Sequence, residues 1–460
     1  MPKQMTAEQK LTYMTETPLP RLVLSLSVPT IVSMLITSFY NMADTYFVGL
    51  IGSASASGAV GVAFPLMAIM QAVGFMFGHG SGNHMARVLG AGDAADARKM
   101  AATGFFSAFF VGLAIMTIGL LAAEPLAYAL GSTPTIAPYA MEYLGYLMPG
   151  APFLIASLVL NNQLRFQGSA FYAMIGITSG AVLNIILDPL FIFTFGMGVA
   201  GAALATSLSQ VVSFFLLLNG TRLGGNIRIH WRDYTPTLAN FPEILRGGVP
   251  SLARQSLNSL ATVCLNLASG GYGDAAIAAM SIVTRVMMMT VSAIIGFGQG
   301  FQPICGFNYG AGLYERVRRA FWFCVRLCFC VLVLVSAAAI ALAPQIISLF
   351  LAADPQVQEI GTLALRLQCA LIPLFAFTCL SNMMLQTMGI AGRATVLAMA
   401  RQGLFFIPAV WVLEHAFGLL GVQLAQPVAD VLSFLLAIPL TLPVLRRLRE
   451  SEAAKKVSKT

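Results

Sequence analysis

Charge is scarce in this chain. Only 10% of its 460 residues are Asp, Glu, Lys or Arg, where a soluble domain carries about 25%. Hydrophobic residues make up 58%, too many for a water-soluble core of this size to cover. Cysteine is missing from the first half: the seven are Cys264, Cys305, Cys324, Cys328, Cys330, Cys369 and Cys379. No cysteine–histidine spacing fits zinc, so these thiols read as small apolar fillers. The four histidines are scattered, and His79, placed at a glycine-rich helix end, is assigned a structural role. No nucleophile elbow, phosphate loop or pair of catalytic carboxylates occurs, which argues against an enzyme. No basic patch has a soluble domain to sit on, which argues against nucleic acid as a partner. A cleavable leader is not expected either, because residues 1–20 are polar and the first apolar run is too long.

Long apolar runs are what the chain has in plenty. Stretches of about 20 residues, enough to cross a bilayer as helices, fall at 21–48, 54–83, 101–123, 136–160, 168–192 and 198–220. A second set falls at 243–268, 274–304, 319–342, 361–384, 394–415 and 419–445. The fold class is therefore an all-α membrane protein of about twelve transmembrane helices, with no soluble domain.

The two sets repeat one another. Val28-Pro29 recurs as Val249-Pro250, Gly90-Ala91-Gly92 as Gly310-Ala311-Gly312, and Pro152 and Gly168 as Pro373 and Gly389. Gly201, Leu204 and Ala205 recur as Gly421, Leu424 and Ala425, so the shift stays at 220 or 221 throughout. An even helix count per half makes the repeats parallel, related by a pseudo-twofold axis along the membrane normal, with substrate bound between them. The expected organisation is a cytoplasmic segment 1–20, a six-helix lobe 21–220, a connector 221–242, a second six-helix lobe 243–445 and a tail 446–460. The connector reads equally well as a hinge or as a passive tether.

Basic residues collect on one side. Lys3, Lys10 and Arg21, then Arg87, Arg98 and Lys99, then Arg222 to Arg246, Arg316 to Arg319, Arg393 and Arg446 to Arg449 share it. The alternate loops near 50, 130, 195, 270, 354 and 416 hold no Lys or Arg. The positive-inside rule places both termini in the cytoplasm of a cell (plasma or inner) membrane. Anionic membrane lipids are then the partner of the net charge of +8.

Two carboxylates lie inside predicted spans. Asp44 stands about 23 residues into the first helix and Asp188 about 20 into the fifth, so at about 1.5 Å per residue both reach the outer part of the membrane. Asn41 and Asn184 sit three and four residues earlier, on the same helix faces. Thr206 lies about two turns into the returning sixth helix. These five residues can share one pocket, where hard oxygens suit Na+ and a desolvated carboxylate pair suits a proton. The alternative is that the aspartates only cap helices near the interface. Tyr40 adjoins them. In the seventh helix Gln255, Asn258, Thr262 and Asn266 share a face, as cavity lining or as helix-packing glue. Arg254, Arg285 and Arg401 lie within spans, paired internally through Asp430 or backbone carbonyls, or open to anionic substrates.

The chain resembles the multidrug and toxic compound extrusion (MATE) family. The residues that carry the likeness are Val28-Pro29, read as opening the first helix, Asp44-Thr45 ahead of Gly49, and Gly78-His79-Gly80 leading to Arg87 and Gly90-Ala91-Gly92. Leu164-Arg165-Phe166-Gln167-Gly168, Asn184 through Pro189, Gly201 through Thr206 and Pro303 through Gly312 complete it. The resemblance implies a cation-coupled (Na+ or H+) antiporter that exports amphipathic, often cationic compounds, with no other cofactor. It implies a cation site at Asp44, Asp188, Asn184 and Thr206. Other branches also use acids in the seventh and tenth helices. Here those helices offer none, so the chain is more similar to the DinF-like branch, with its cation site in the N-terminal lobe. A monomer suffices, because the cavity lies within one chain. The rival readings are a lipid-linked precursor flippase, a membrane-embedded enzyme and a channel.

Overall fold

The computed structural model describes residues 5–237, 239–350 and 354–457; Lys3 of the basic set lies outside them. A short helix, α1 (Ala7–Glu16), opens the described chain on a capping box between Thr6 and Gln9. The first bundle follows as α2 (Leu19–Gly49), α3 (Ala54–Gly90), α4 (Ala94–Leu121) and the short α5 (Ala123–Ala129). Then α6 (Ala137–Leu147) and α7 (Ala151–Phe166) join through a 3-10 turn into one pass. The bundle closes with α8 (Ala170–Pro189) and α9 (Gly198–Gly220).

The second bundle repeats the plan. It runs α10 (Asn240–Gly270), α11 (Asp274–Gly310), α12 (Tyr314–Ala341) and the short α13 (Ala343–Phe350). The joined α14 (Pro355–Leu371) and α15 (Phe375–Thr387) follow, then the joined α16 (Ala391–Met399) and α17 (Ile407–Phe417), and α18 (Leu419–Val457). Twelve passes result. Eleven of these helical stretches are long and apolar enough to cross a membrane. The twelfth, α10, has the length at 31 residues, but carries Glu243, Arg246, Arg254 and the polar face from Gln255.

Several helices outrun their apolar cores. Hydropathy marks where a helix leaves the bilayer, whereas caps and glycines mark where it stops. The spans expected to end at 83, 304 and 445 continue to Gly90, Gly310 and Val457. Gly92, at φ +86°, and the Asp93 side chain, bonded to the amides of Ala95 and Asp96, force the turn into α4. His79 accordingly lies mid-helix, not at a helix end, and Pro29 lies inside α2 rather than opening it. The glycines beside His79 are contact points: a Cβ on Gly78 would strike Asn162, and one on Gly82 would strike Phe166.

Parallel duplication is visible in paired contacts. A Cβ on Gly90 would meet the Phe307 carbonyl, and one on Gly310, 220 residues later, would meet the Arg87 carbonyl, also 220 residues before Phe307. The long helices α3 and α11 therefore cross about a pseudo-twofold axis at that end. Gly168 and Gly389 close α7 and α15 with the same φ of +78°. The bundles also meet along α2 and α11, where Thr30 Oγ1 donates to the Gly296 carbonyl at 2.7 Å. They meet again along α3 and α10, where Gly80 and Gly247 touch.

Candidate cation site

Asp188 ends a helix that cannot run on regularly. Pro189 follows it, has no N–H to give, and the chain slips into a π-turn over Leu190–Thr194. The Asp188 side chain is fully buried, as are Asn184 one turn earlier and Thr206 on α9. The Asn184 amide, oriented to meet donors with acceptors, gives its N–H to Asp188 Oδ2 at 3.0 Å and accepts from the Thr206 hydroxyl at 3.2 Å.

Asp44 comes from α2, and its carboxyl lies within hydrogen-bonding reach of that of Asp188. Asp44 Oδ1 and Asp188 Oδ1 are both enclosed with no partner. Two adjacent carboxylates, each with an orphaned oxygen, require a shared proton or a cation. The hard oxygens of Asp44, Asp188, Asn184 and Thr206 fit Na+ in type. Among the described residues no group of three or more His, Cys, Asp or Glu side chains clusters to hold a metal.

Asn41 does not join this arrangement. It is half-buried, its carbonyl accepts from the Thr45 hydroxyl, and no hydrogen bond among the described residues ties its amide to the cluster. Tyr40 does approach, with its hydroxyl beside Thr206.

A cavity of about 110 Å³ runs inward from the cluster through the first bundle. Tyr40 and Asn184 line it near the carboxylates, and Gln210, Gly180 and Leu154 line its wall. Its other end is Arg165, which the sequence offered only as part of a motif. This guanidinium is almost fully buried and has neutral partners: Gln299 at 2.5 Å, Asn162 at 2.6 Å and His79 Nε2 at 3.3 Å. His79 Nδ1 meets the Phe75 carbonyl at 3.1 Å, so Nδ1 carries the proton and Nε2 accepts. Asn161, Asn162 and Arg165 at helical spacing in an apolar run were the sequence signal for this polar end.

The second-bundle candidates stand apart from this cavity. Gln255 is half-buried and reaches Gln71, a cavity residue of the other bundle, at 3.4 Å. Asn258, Thr262 and Asn266 continue that face of α10 and are exposed. Arg285 is exposed on α11, two turns before Ser292, which faces Ser38 of α2 at 2.9 Å. Of Arg254, Arg285 and Arg401, it is Arg401 that takes the carboxylate: its Nε donates to Asp430 Oδ1 at 2.6 Å.

Comparison with known proteins follows the same outline. The chain is 27% identical over 448 residues to the multidrug export protein MepA of Staphylococcus haemolyticus (strain JCSC1435), covering 97% of this chain and 98% of that one. It superposes at a TM-score of 0.89 on an outward-facing multidrug resistance MATE family transporter of the MOP superfamily, at 27% identity over 97% of this chain and all of the other. A MATE structure in the straight conformation gives 0.90 at 26% identity, again over 97% of this chain and all of the other. The MatE family model matches residues 29–190 and 250–412, one stretch in each bundle. With both halves matched and the twelve-pass architecture shared, the chain belongs to the MatE family, as a multi-pass membrane transporter and not an enzyme.

Proposed function

We propose that this transporter is a multidrug exporter that moves small amphipathic, often cationic compounds out of the cell in exchange for Na+ or H+. The observation that carries the coupling is the pairing of Asp44 with Asp188, two carboxylates each with one enclosed, orphaned oxygen, against Asn184 and Thr206. The multidrug-export relatives support the substrate class. The basic loops support cytoplasmic termini, and a cavity within one chain supports a monomer set in membrane lipid.

Alternating access uses the two bundles as rigid bodies. The end at which Gly90 and Gly310 cross is closed, and the basic loops support its being the cytoplasmic one. Substrate enters from the cytoplasm or inner leaflet when that end parts. The exposed residues Asn258, Thr262 and Asn266 of α10 and Arg285 of α11 form the cleft wall that substrate meets. Loading of the Asp44–Asp188 pair from outside redraws α2 and releases the substrate. One charge moving inward gains about 2.3 kcal/mol per 100 mV, or about 50-fold in concentration ratio.

The test is uptake into everted vesicles under an imposed sodium or pH gradient, with cationic, neutral and anionic dyes. Asp188→Asn abolishes gradient-driven uptake while membrane insertion is kept. Undiminished exchange in that variant would falsify the assignment.

A second reading, a flippase for lipid-linked precursors, draws on one observation. Arg165 lines the cavity with only neutral partners, as a site for an anionic headgroup would. Gradient-independent movement of a fluorescent anionic lipid, lost in Arg165→Gln, would favour it.

A further inference from the structure

The repeat lets each bundle be read against the other, and one comparison is lopsided. Asn161 donates to the Ala173 carbonyl at 3.0 Å, and Asn382 donates to the Ala394 carbonyl at 2.6 Å. Both donor and acceptor are displaced by 221, so the register of these helices is fixed by a shared hydrogen bond. In that register Leu154 falls on Phe375 and Gly180 falls on Arg401. At the shift of 220 that aligns Gly201 with Gly421, Gln210 falls on Asp430 and Thr206 on Gln426.

Leu154, Gly180 and Gln210 all line the open cavity of the first bundle. Their three counterparts close on one another. Arg401 Nε donates to Asp430 Oδ1 at 2.6 Å, and its terminal nitrogen lies 3.5 Å from Oδ2. The guanidinium carbon sits 4.2 Å from the centre of the Phe375 ring. Gln426, in the place of Thr206, donates to Asp430 Oδ1 at 3.0 Å. Asp430 is 3% exposed. Each bundle also carries a π-turn in this helix, over Leu190–Thr194 and over Ala400–Phe406.

We propose that the second bundle holds a cation site of its own at Asp430, and that Arg401 occupies it permanently as a tethered cation. The chain would then keep one exchangeable site, in the first bundle. A buried carboxylate in the bilayer demands a counter-charge. A diffusible ion can leave and so can couple to transport. A guanidinium tethered to the chain, always charged and held by a fork of hydrogen bonds, cannot. In the second bundle the pair thereby fills the space that its counterparts Gly180 and Gln210 leave open in the first. This inference rests on the reading that the first bundle binds the coupling cation.

Purified full-length protein carries the test. Arg401→Ala exposes Asp430, so it gains about one bound 22Na+ per chain over the native protein. It melts several degrees lower and recovers when guanidinium chloride is added at low millimolar concentration. Arg401→Ala/Asp430→Asn loses the extra ion and the recovery. An identical response of the single and double variants overturns the proposal. If Arg401→Ala does not fold, Arg401→Met/Asp430→Leu serves, because apolar replacement of a buried ion pair is commonly tolerated. That variant is expected to export as the native protein does, with an unchanged ion count; lost export would make the pair part of the transport machinery and overturn the tethered role. Asp188→Asn, run beside them, reports on the first bundle alone. Its retention of coupled export, beside a gained ion in Arg401→Ala, would remove the first-bundle reading and leave the Asp430 site standing.

Discussion

Arg87 on α3 donates to Glu243 at the start of α10 at 3.0 Å, and this pair ties the two bundles together at their closed end. The same guanidinium also donates to the Thr387 carbonyl of α15 at 2.8 Å, so one side chain holds two elements of the opposite bundle. His84, bonded to Asp96 at 2.7 Å, stands beside it. Both members of the pair are partly solvated, so the link is expected to contribute about 1–2 kcal/mol, below the range for a fully enclosed charged bond. Arg87→Ala should therefore raise the population open to the cytoplasm about 5- to 30-fold. Spin labels on the loops after α3 and α11 would show the longer distance; an unchanged distribution would refute the latch.

Crossing at bare backbone should make two glycines costly to change. Gly90→Ala and Gly310→Ala each place a methyl against a carbonyl of the opposite helix, and backbone cannot swing aside as a side chain can. Each should lose about 1–3 kcal/mol of stability. Because the contacts are reciprocal, both substitutions should lower the thermal midpoint by similar amounts. A large effect from only one would mean that the helices do not share the axis evenly.

Asn184 and Thr206 divide the labour around Asp188, and substitution separates them. Asn184→Leu leaves Asp188 Oδ2 without its donor and should reduce coupled efflux at least about 10-fold. Thr206→Ser keeps the hydroxyl and should retain most of the activity, whereas Thr206→Val should not. Equal rates for Ser and Val would show that only the volume of Thr206 matters.

Lys10 offers a pH response outside the membrane. It lies on the buried face of α1, bonded to Ser169 at 3.0 Å and to Asn226. Burial pushes its ammonium down to about 8. The undocked segment holds its proton to higher pH than the docked one, so docking strengthens as pH rises through about 8 toward the ordinary lysine value. A neutral amine still donates to both partners. Limited proteolysis ahead of α2 should slow between pH 7.5 and 9.5, relative to a Lys10→Met control whose profile is flat. Faster cleavage at high pH would reverse the sign and sink the account.

Much of this was legible in the residues because two periodicities are strong. Apolar run length defined the passes, and recurring glycines defined the repeat, since Gly90 and Gly310 tolerate nothing larger. Helix arithmetic put Asp44, Asp188, Asn184 and Thr206 at one height, and the structure brings them together. The same arithmetic failed for Asn41: sharing a helix face with Asp44 fixes direction only roughly, and the amide makes no bond to the group. Arg165 was hidden for another reason. Its partners, His79 on α3 of the same bundle and Gln299 on α11 of the other, are far away in the chain; the spacing of Asn161, Asn162 and Arg165 signals a polar end but not what it meets. Glycine near His79 read as a break because intrinsic propensity was weighed without the neighbouring helices that fill the grooves.

The polar face of α10 bears on how the molecule is made. A helix that carries Arg254 and the amides of Gln255, Asn258 and Asn266 between its ends partitions weakly from the translocon into lipid when alone. Its seam with α3, where Gly80 meets Gly247 and Gln71 meets Gln255, holds it against protein rather than lipid, and α3 is synthesised earlier. Insertion is thus expected to be ordered, with the leading six passes in place to receive the seventh. Cut at the connector and expressed separately, the leading half should insert by itself, while the trailing half should lose its first pass to the aqueous side unless its companion is present.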